Sequence, residues 1–259
     1  MVGQKGFWDE EARLKKLGRK KPALEHLAAT IPWGKFRPLL ESAFQKERKS
    51  AAGRKRIDVL VMFKMLVLQQ LFNLSDEDLE FQVNDRRSFE KFVGLGVMDS
   101  IPDGTTVSLF REHLRQAGVH EEVFQMFDRY LNGQGLKARG GQIIDATLVP
   151  VRKQRNQRKE NEEIKQGKTP EAWQANPHRL RQKDLDARWV KKNGLSHYGY
   201  KNSISIDVAY GLIRRHVVTP ATIHASQMLA ALLDGKNTEA MVWADSAYQS
   251  TVMDSVLKE

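Results

Sequence analysis

Cysteine is missing from all 259 residues, which excludes disulfides and thiolate metal sites and fits a reducing compartment. Long apolar runs are missing too. No segment approaches the ~20 apolar residues of a membrane-spanning helix, and the opening MVGQKGFWDEEARLKK has no apolar core of a signal peptide. A soluble protein is expected. Acid is in deficit: 32 Asp and Glu stand against 42 Lys and Arg, for a formal charge of +10 and a pI near 9.7. That balance favours a polyanionic partner, with DNA, RNA and an anionic membrane surface all open. The length suffices for one large domain or two modest ones.

Texture divides the chain into an apolar-periodic first half, a charged middle and a strand-like last third. IDVLVMFKMLVLQQLF, ending at Phe72, is apolar on most faces and reads as the central helix of a helical domain. Ser75 is placed to cap a helix from about Asp76 to Val83, whose first acids suit its positive end. Ile101-Pro102-Asp103-Gly104 is a turn by its chemistry, and helices follow from about Thr105 and over Glu121 to Leu136. Short helices with arginines such as Arg111 on their outer faces suggest a helix-turn-helix-like DNA binder, although many small helical domains share this pattern. Basic clusters at Lys15-Lys16, Arg19-Lys20-Lys21, Arg48-Lys49 and Arg54-Lys55-Arg56 suit phosphates; a solvated surface reads the same way.

Past Gly141 the pattern changes. Gln142 to Pro150 has the β-branched content of a buried strand, with Asp145 as its anomaly. Arg152 to Lys192 is polar and basic with few apolar residues, so no core is expected there; it reads as a mobile insertion that meets a polyanion through Arg152, Lys153, Arg155 and their neighbours, with Trp173 and Trp189 free to stack on bases. A strand through Tyr200 to Val208 and a returning strand over Leu212 to Thr219 form a hairpin around Tyr210-Gly211. A helix opens at His224, and Glu239 to Asp245 reads as a further buried strand ending in an acid. Asp207 is read as a turn residue.

Asp145 and Asp245 lie 100 residues apart, yet neighbouring strands bring such residues together. Two close carboxylates repel unless a cation joins them, and hard oxygen ligands suit Mg²⁺ or Mn²⁺ in phosphodiester chemistry. Ordinary strand-end aspartates are the competing reading, because a metal pair needs a third carboxylate.

The blocks LSDEDLEFQVNDRRSFEKFVGLG, IPDGTTVSLFREHL, IIDATLVPVR, DARWVKKNGLSHYGYKNSISIDVAYGLIRRHVVTPATIHASQ and VWADSAYQS together resemble the DDE transposases of the insertion sequence five family. The resemblance implies an α+β protein: an all-α, helix-turn-helix-like DNA-binding domain over 1–136, then a ribonuclease-H-like α/β catalytic domain over 137–259 carrying the basic insertion 152–192. It implies Asp145 and Asp245 as ligands of Mg²⁺ (or Mn²⁺), and Lys191, Lys192 and Lys201 as contacts to DNA. The partners implied are double-stranded DNA, as transposon terminal inverted repeats and target, with a homo-oligomer allowed and no membrane; the setting is the bacterial cytoplasm at the nucleoid.

The family's third acid is a Glu on a helix well beyond the second Asp. Glu259 follows Asp245 too closely to serve, so an incomplete catalytic domain is expected, with apolar surface exposed around Val242, Trp243, Val252 and Val256. Cleavage near background follows from that, and the alternative is a non-catalytic DNA-binding regulator or inhibitor. Gly167-Lys168-Thr169 lacks the earlier glycine and the preceding strand of a P-loop, and the histidines lack zinc-site spacing.

Overall fold

A computed structural model describes residues 23–44, 56–96, 98–136, 140–192, 194–235 and 241–248. The chain divides into two compact units, Met1–Tyr130 and Leu131–Glu259.

The described part of the first unit is helical: α1 (Ala23–Thr30), α2 (Arg37–Ser42), α3 (Val59–Phe72), α4 (Asp76–Asp85), α5 (Arg87–Val93), α6 (Gly104–Ala117) and α7 (His120–Gly133), the last ending just beyond the unit boundary. Local chemistry sets most of the ends. Asp58, Ser75 and Asp103 each accept a backbone N–H at the start of α3, α4 and α6. Asn73 and Gly94 close α3 and α5 in the left-handed conformation. Being apolar on most faces, α3 becomes the central helix: Val59, Met62, Met65 and Leu68 are buried with Leu40, Leu79, Val83, Phe89, Phe92, Val107 and Phe110. Each such side chain contributes ~1.5–3 kcal/mol by leaving water.

Arg111 is exposed on the outer face, as expected, yet it is not a free charge. It pairs with Asp76 and donates to Gln69 Oε1 at 2.9 Å, while Gln69 Nε2 donates to Asp76 Oδ1 at 2.7 Å. Gln69 is buried, so this polar joint satisfies an amide inside the core and ties α3, α4 and α6 together. Arg56 is likewise engaged, lying 4.7 Å over the Phe44 ring. The other basic clusters named above lie outside the described residues.

The second unit is a mixed sheet with helices, an α+β arrangement. Its strands are β1 (Gln142–Pro150), β2 (Arg188–Lys192), β3 (Leu195–Asp207), β4 (Ile213–Pro220) and β5 (Val242–Ala244). The long β3 takes β1 along one side; along the other it takes β2 at Leu195–Gly199 and β4 at Tyr200–Ile206. All three pairings are antiparallel. β5 lies parallel to β1 on its free edge, after a connection through a 3-10 turn (Ala225–Met228) and the short α11 (Leu229–Leu232), which replace the single helix expected from His224.

β1 and β5 are not buried strands. Ile144, Ala146 and Val242 face a small core with Ala225, Leu229, Leu232 and Tyr248, but the alternate residues Ile143 and Trp243 are 37% and 44% exposed. Apolar composition suggested two covered faces; only one has packing partners among the described residues. Trp243 thus lies on the exposed side as expected, whereas Val242 packs inward; Val252 and Val256 lie outside the described residues. Two glycines let the strands approach. A Cβ on Gly199, where φ is +154°, would stand 2.1 Å from Val149 O, and one on Gly141 would stand 2.5 Å from the Trp243 ring. Asp207 is buried and holds the β3–β4 turn, accepting from Tyr210 N at 2.6 Å and Leu212 N at 2.7 Å.

The basic insertion has a core, contrary to expectation. It folds as α8 (Arg158–Lys165), α9 (Glu171–Gln174), α10 (Pro177–Leu180) and β2. Trp173 is fully buried; its Nε1 donates to Glu160 Oε1 at 2.8 Å, and Arg179 pairs with the same oxygen. Glu160 also closes the α8 capping box with Gln157. Composition undercounts this core because one tryptophan, packed beneath the Lys183 ammonium at 4.8 Å and joined by Ile164 and Ala187, supplies much of it.

Candidate functional site

The parallel β1–β5 ladder runs Gln142–Val242, Ile143–Trp243, Ile144–Ala244. The next residue on each strand is an aspartate. Neighbouring strands run ~4.8 Å apart, so Asp145 and Asp245 stand side by side, and alternation puts them on the exposed face with Ile143 and Trp243. Both are exposed to solvent.

Each carboxylate is oriented through one oxygen. Ala146 N donates to Asp145 Oδ1 at 2.7 Å, and Ser246 Oγ donates to Asp245 Oδ1 at 3.2 Å. Tyr248, two residues past Ser246, is buried, and its phenol is raised above the ordinary value. Burial is the main cause; the Ser203 hydroxyl pulls it down, and the charges of Asp145 and Asp245 push it up again. One hydroxyl thus feels both carboxylates. Tyr248 Oη and Ser203 Oγ face each other, yet neither makes a well-directed hydrogen bond among the described residues. The sequence reading missed this pair; its only signal was Tyr248 within VWADSAYQS.

The donor set is all oxygen. Mg²⁺ commonly keeps several waters and binds through one or two carboxylates plus substrate phosphates, and two adjacent exposed aspartates fit that mode. Among the described residues no group of three or more His, Cys, Asp or Glu is placed to hold a metal.

The candidate DNA contacts divide. Arg152, Lys153 and Arg155 continue β1 beyond Pro150, and Lys191 and Lys192 end β2; all five are exposed and none is paired with a carboxylate among the described residues. β1's continuation and β2 flank the first half of β3, Val151 N bonding Tyr198 O at 3.0 Å and Trp189 pairing with Tyr198. Lys153 Nζ lies 5.4 Å from the centroid of the half-exposed Trp189 ring. Lys201 differs: it is half-buried and donates to Ile223 O at 2.6 Å. Burial, then the nearby Lys192 charge, lowers its pKa. Trp173 is sealed in the insertion and cannot stack on a base; Tyr200 is held by a 2.6 Å bond to Asp184.

Among the described residues no single helix is long and apolar enough to cross a membrane. Residues 12–113 match the family described as transposase domain (DUF772), and residues 137–257 match the transposase DDE domain. The second match contains both aspartates and the whole described sheet. No solved structure matches the chain.

Proposed function

We propose, for a chain that carries a transposase domain followed by a transposase DDE domain, that it is a DNA transposase of the insertion sequence five family whose metal-binding acids are Asp145 and Asp245. The observation that carries this reading is their adjacency at one register step past Ile144–Ala244 on an exposed face. The antiparallel β4–β3–β1 run with β5 parallel to β1 supports a ribonuclease-H-like sheet. On the same reading, residues 1–136 are the helix-turn-helix-like DNA-binding domain and 137–259 the catalytic domain with its basic insertion 152–192. The protein works on double-stranded DNA, at terminal inverted repeats and target, in the bacterial cytoplasm at the nucleoid.

Asp145 and Asp245 would hold Mg²⁺ or Mn²⁺, and Ala146 N–H and the Ser246 hydroxyl orient their carboxylates through Oδ1. When bound, such an ion supplies charge stabilisation at the phosphodiester and a more acidic water. The exposed position of the pair leaves room for a phosphate to reach it. Arg152, Lys153, Arg155, Lys191 and Lys192 neutralise backbone phosphates and position the duplex. Lys201 acts from the second row, bracing the loop at Ile223 behind Lys192.

A second reading rests on the exposed cations Arg152, Lys153, Arg155, Lys191 and Lys192, which suit DNA binding with or without cleavage: a DNA-binding regulator that occupies ends without cutting them. On either reading the protein is expected to retain end DNA. The test incubates the protein and Mg²⁺ with DNA flanking its own coding sequence. Retention without cleavage fits the regulator, whereas cleavage abolished by Asp145→Ala establishes the enzyme. Failure to retain that DNA in preference to unrelated DNA would sink both readings.

A further inference from the structure

Thr106, Leu109, Phe110 and His113 recur at three- and four-residue steps along α6, so they share one helix face. Opposite that face stand Phe44, which follows α2, and Ile57 and Met62 around the start of α3. Together they border a cavity of 340 Å³, inside the ~300–1,000 Å³ of small-molecule sites. Its walls are aromatic and aliphatic. The Phe44 ring stacks on Phe110 at 5.4 Å and 14° and on His113 at 5.1 Å and 29°. The His113 ring is fixed in turn by its Nδ1, which donates to Leu109 O at 2.7 Å. Leu109 itself stays exposed at the rim.

Arg56 supplies the charge. It lines the same cavity with its guanidinium 4.7 Å from the Phe44 ring centroid, and Nη2 reaches Phe44 O only at 3.4 Å. Among the described residues it has no carboxylate partner, and no acidic side chain lines the cavity. The acids nearest the lining in sequence are engaged elsewhere: Asp58 pairs with Arg37 at 2.8 Å and Glu112 with Arg115 at 2.8 Å. The cavity thus presents an unneutralised cation beside stacked rings. Its chemical complement is one negative charge carried on a flat apolar body.

We infer that this cavity of the first unit binds a small aromatic carboxylate. The ligand's rings lie between the α6 face and Phe44, taking Leu109, Ile57 and Met62 out of water, and the unbranched Met62 thioether adapts to their shape. Its carboxylate meets Arg56: a guanidinium resting on a ring face keeps its N–H edge free, in the fork geometry that takes both carboxylate oxygens. A phosphate carries a further charge and oxygens that this mostly apolar lining leaves unmatched, which selects the carboxylate. Arg56 and Ile57 lead into α3 while the facing residues belong to α6, so the bound ligand ties the two helices together. The site uses neither aspartate and is independent of the DNA reading of the chain; either can fail without the other.

Calorimetric titration of the full chain with naphthalene-2-carboxylate and with the uncharged naphthalene-2-carboxamide, which has the same shape, tests this. The carboxylate is expected to bind about tenfold more tightly than the amide. Arg56→Gln should bring the two within about twofold, and Arg56→Lys should keep part of the preference. Leu109→Glu, which puts a negative charge at the rim, should weaken the carboxylate more than the amide. Arg158→Gln, at an exposed arginine of the second unit, should change neither affinity. Far-ultraviolet circular dichroism confirms the fold of each variant. Absence of carboxylate binding at millimolar concentration, equal affinity for carboxylate and amide, or a preference that survives Arg56→Gln overturns the site.

Discussion

Asp145 and Asp245 follow Ile144 and Ala244, the last paired residues of a parallel two-strand ladder, so each acid stands one step past the same paired position. Parallel register makes them neighbours on the same face, which an antiparallel pairing of these segments would not do from these chain positions. Tyr248, buried in the core beside Ile144, has a raised phenol pKa, mainly from burial, to which both charges add.

A divalent ion should therefore bind weakly and specifically. At about ten times its dissociation constant, Mn²⁺ is expected to stabilise the protein by ~1.4 kcal/mol, a rise of ~2–4 °C in unfolding temperature. Asp145→Asn and Asp245→Asn should each remove the rise. Thermal melts with and without Mn²⁺ check this; an equal rise in both variants would show that the ion binds elsewhere.

Gly199→Ala should destabilise the sheet by at least ~1–3 kcal/mol, because the added methyl carbon meets Val149 O at 2.1 Å in a backbone conformation that side chains avoid. Gly34→Ala, where nothing lies within 4 Å, is the control. Urea denaturation of both variants measures the difference.

The insertion should unfold with acid. Burial alone would raise the Glu160 carboxyl, but bonds from Gln157 N and Trp173 Nε1 and the charges of Arg179 and Lys183 hold it below its ordinary 4.5. Its folded value lies below its unfolded one, so its stabilisation is present above pH 4.5 and is lost as pH falls through the folded value. Trp173 fluorescence followed from pH 6 to pH 3 should show the loss in the unsubstituted protein, and Glu160→Gln should flatten that dependence. Trp173→Ala, at a fully buried site, is expected to cost about 3–5 kcal/mol.

Arg111→Leu should leave Asp76 and buried Gln69 short of a partner and destabilise the helical unit by ~1–3 kcal/mol. The double variant with Asp76→Leu should recover part of that loss, since removing both members of a polar pair is milder than removing one. Chemical denaturation of the two variants decides it.

Lys191→Ala with Lys192→Ala should weaken DNA binding at every sequence alike and lower the slope of log affinity against log salt by about 2. Binding isotherms over a salt series check it. A loss confined to one DNA sequence would mean that these lysines read bases.

The sequence by itself determined what depends on near neighbours: the cap at Ser75, the turns at 101–104 and Asp207, the β1 boundaries at Gln142 and Pro150, and the two acids with their oxygen chemistry. Each is set by residues a few positions apart, where propensity and hydrogen bonding act directly. Tertiary structure alone decided which segments meet. It paired β1 with β5 in parallel, left one sheet face without packing partners among the described residues, tied the exposed Arg111 to buried Gln69, and buried Trp173 to give the basic insertion a core that composition did not reveal. Those outcomes depend on burial and pairing across dozens of residues, and the same side chain serves as a surface charge or a core anchor according to what arrives beside it.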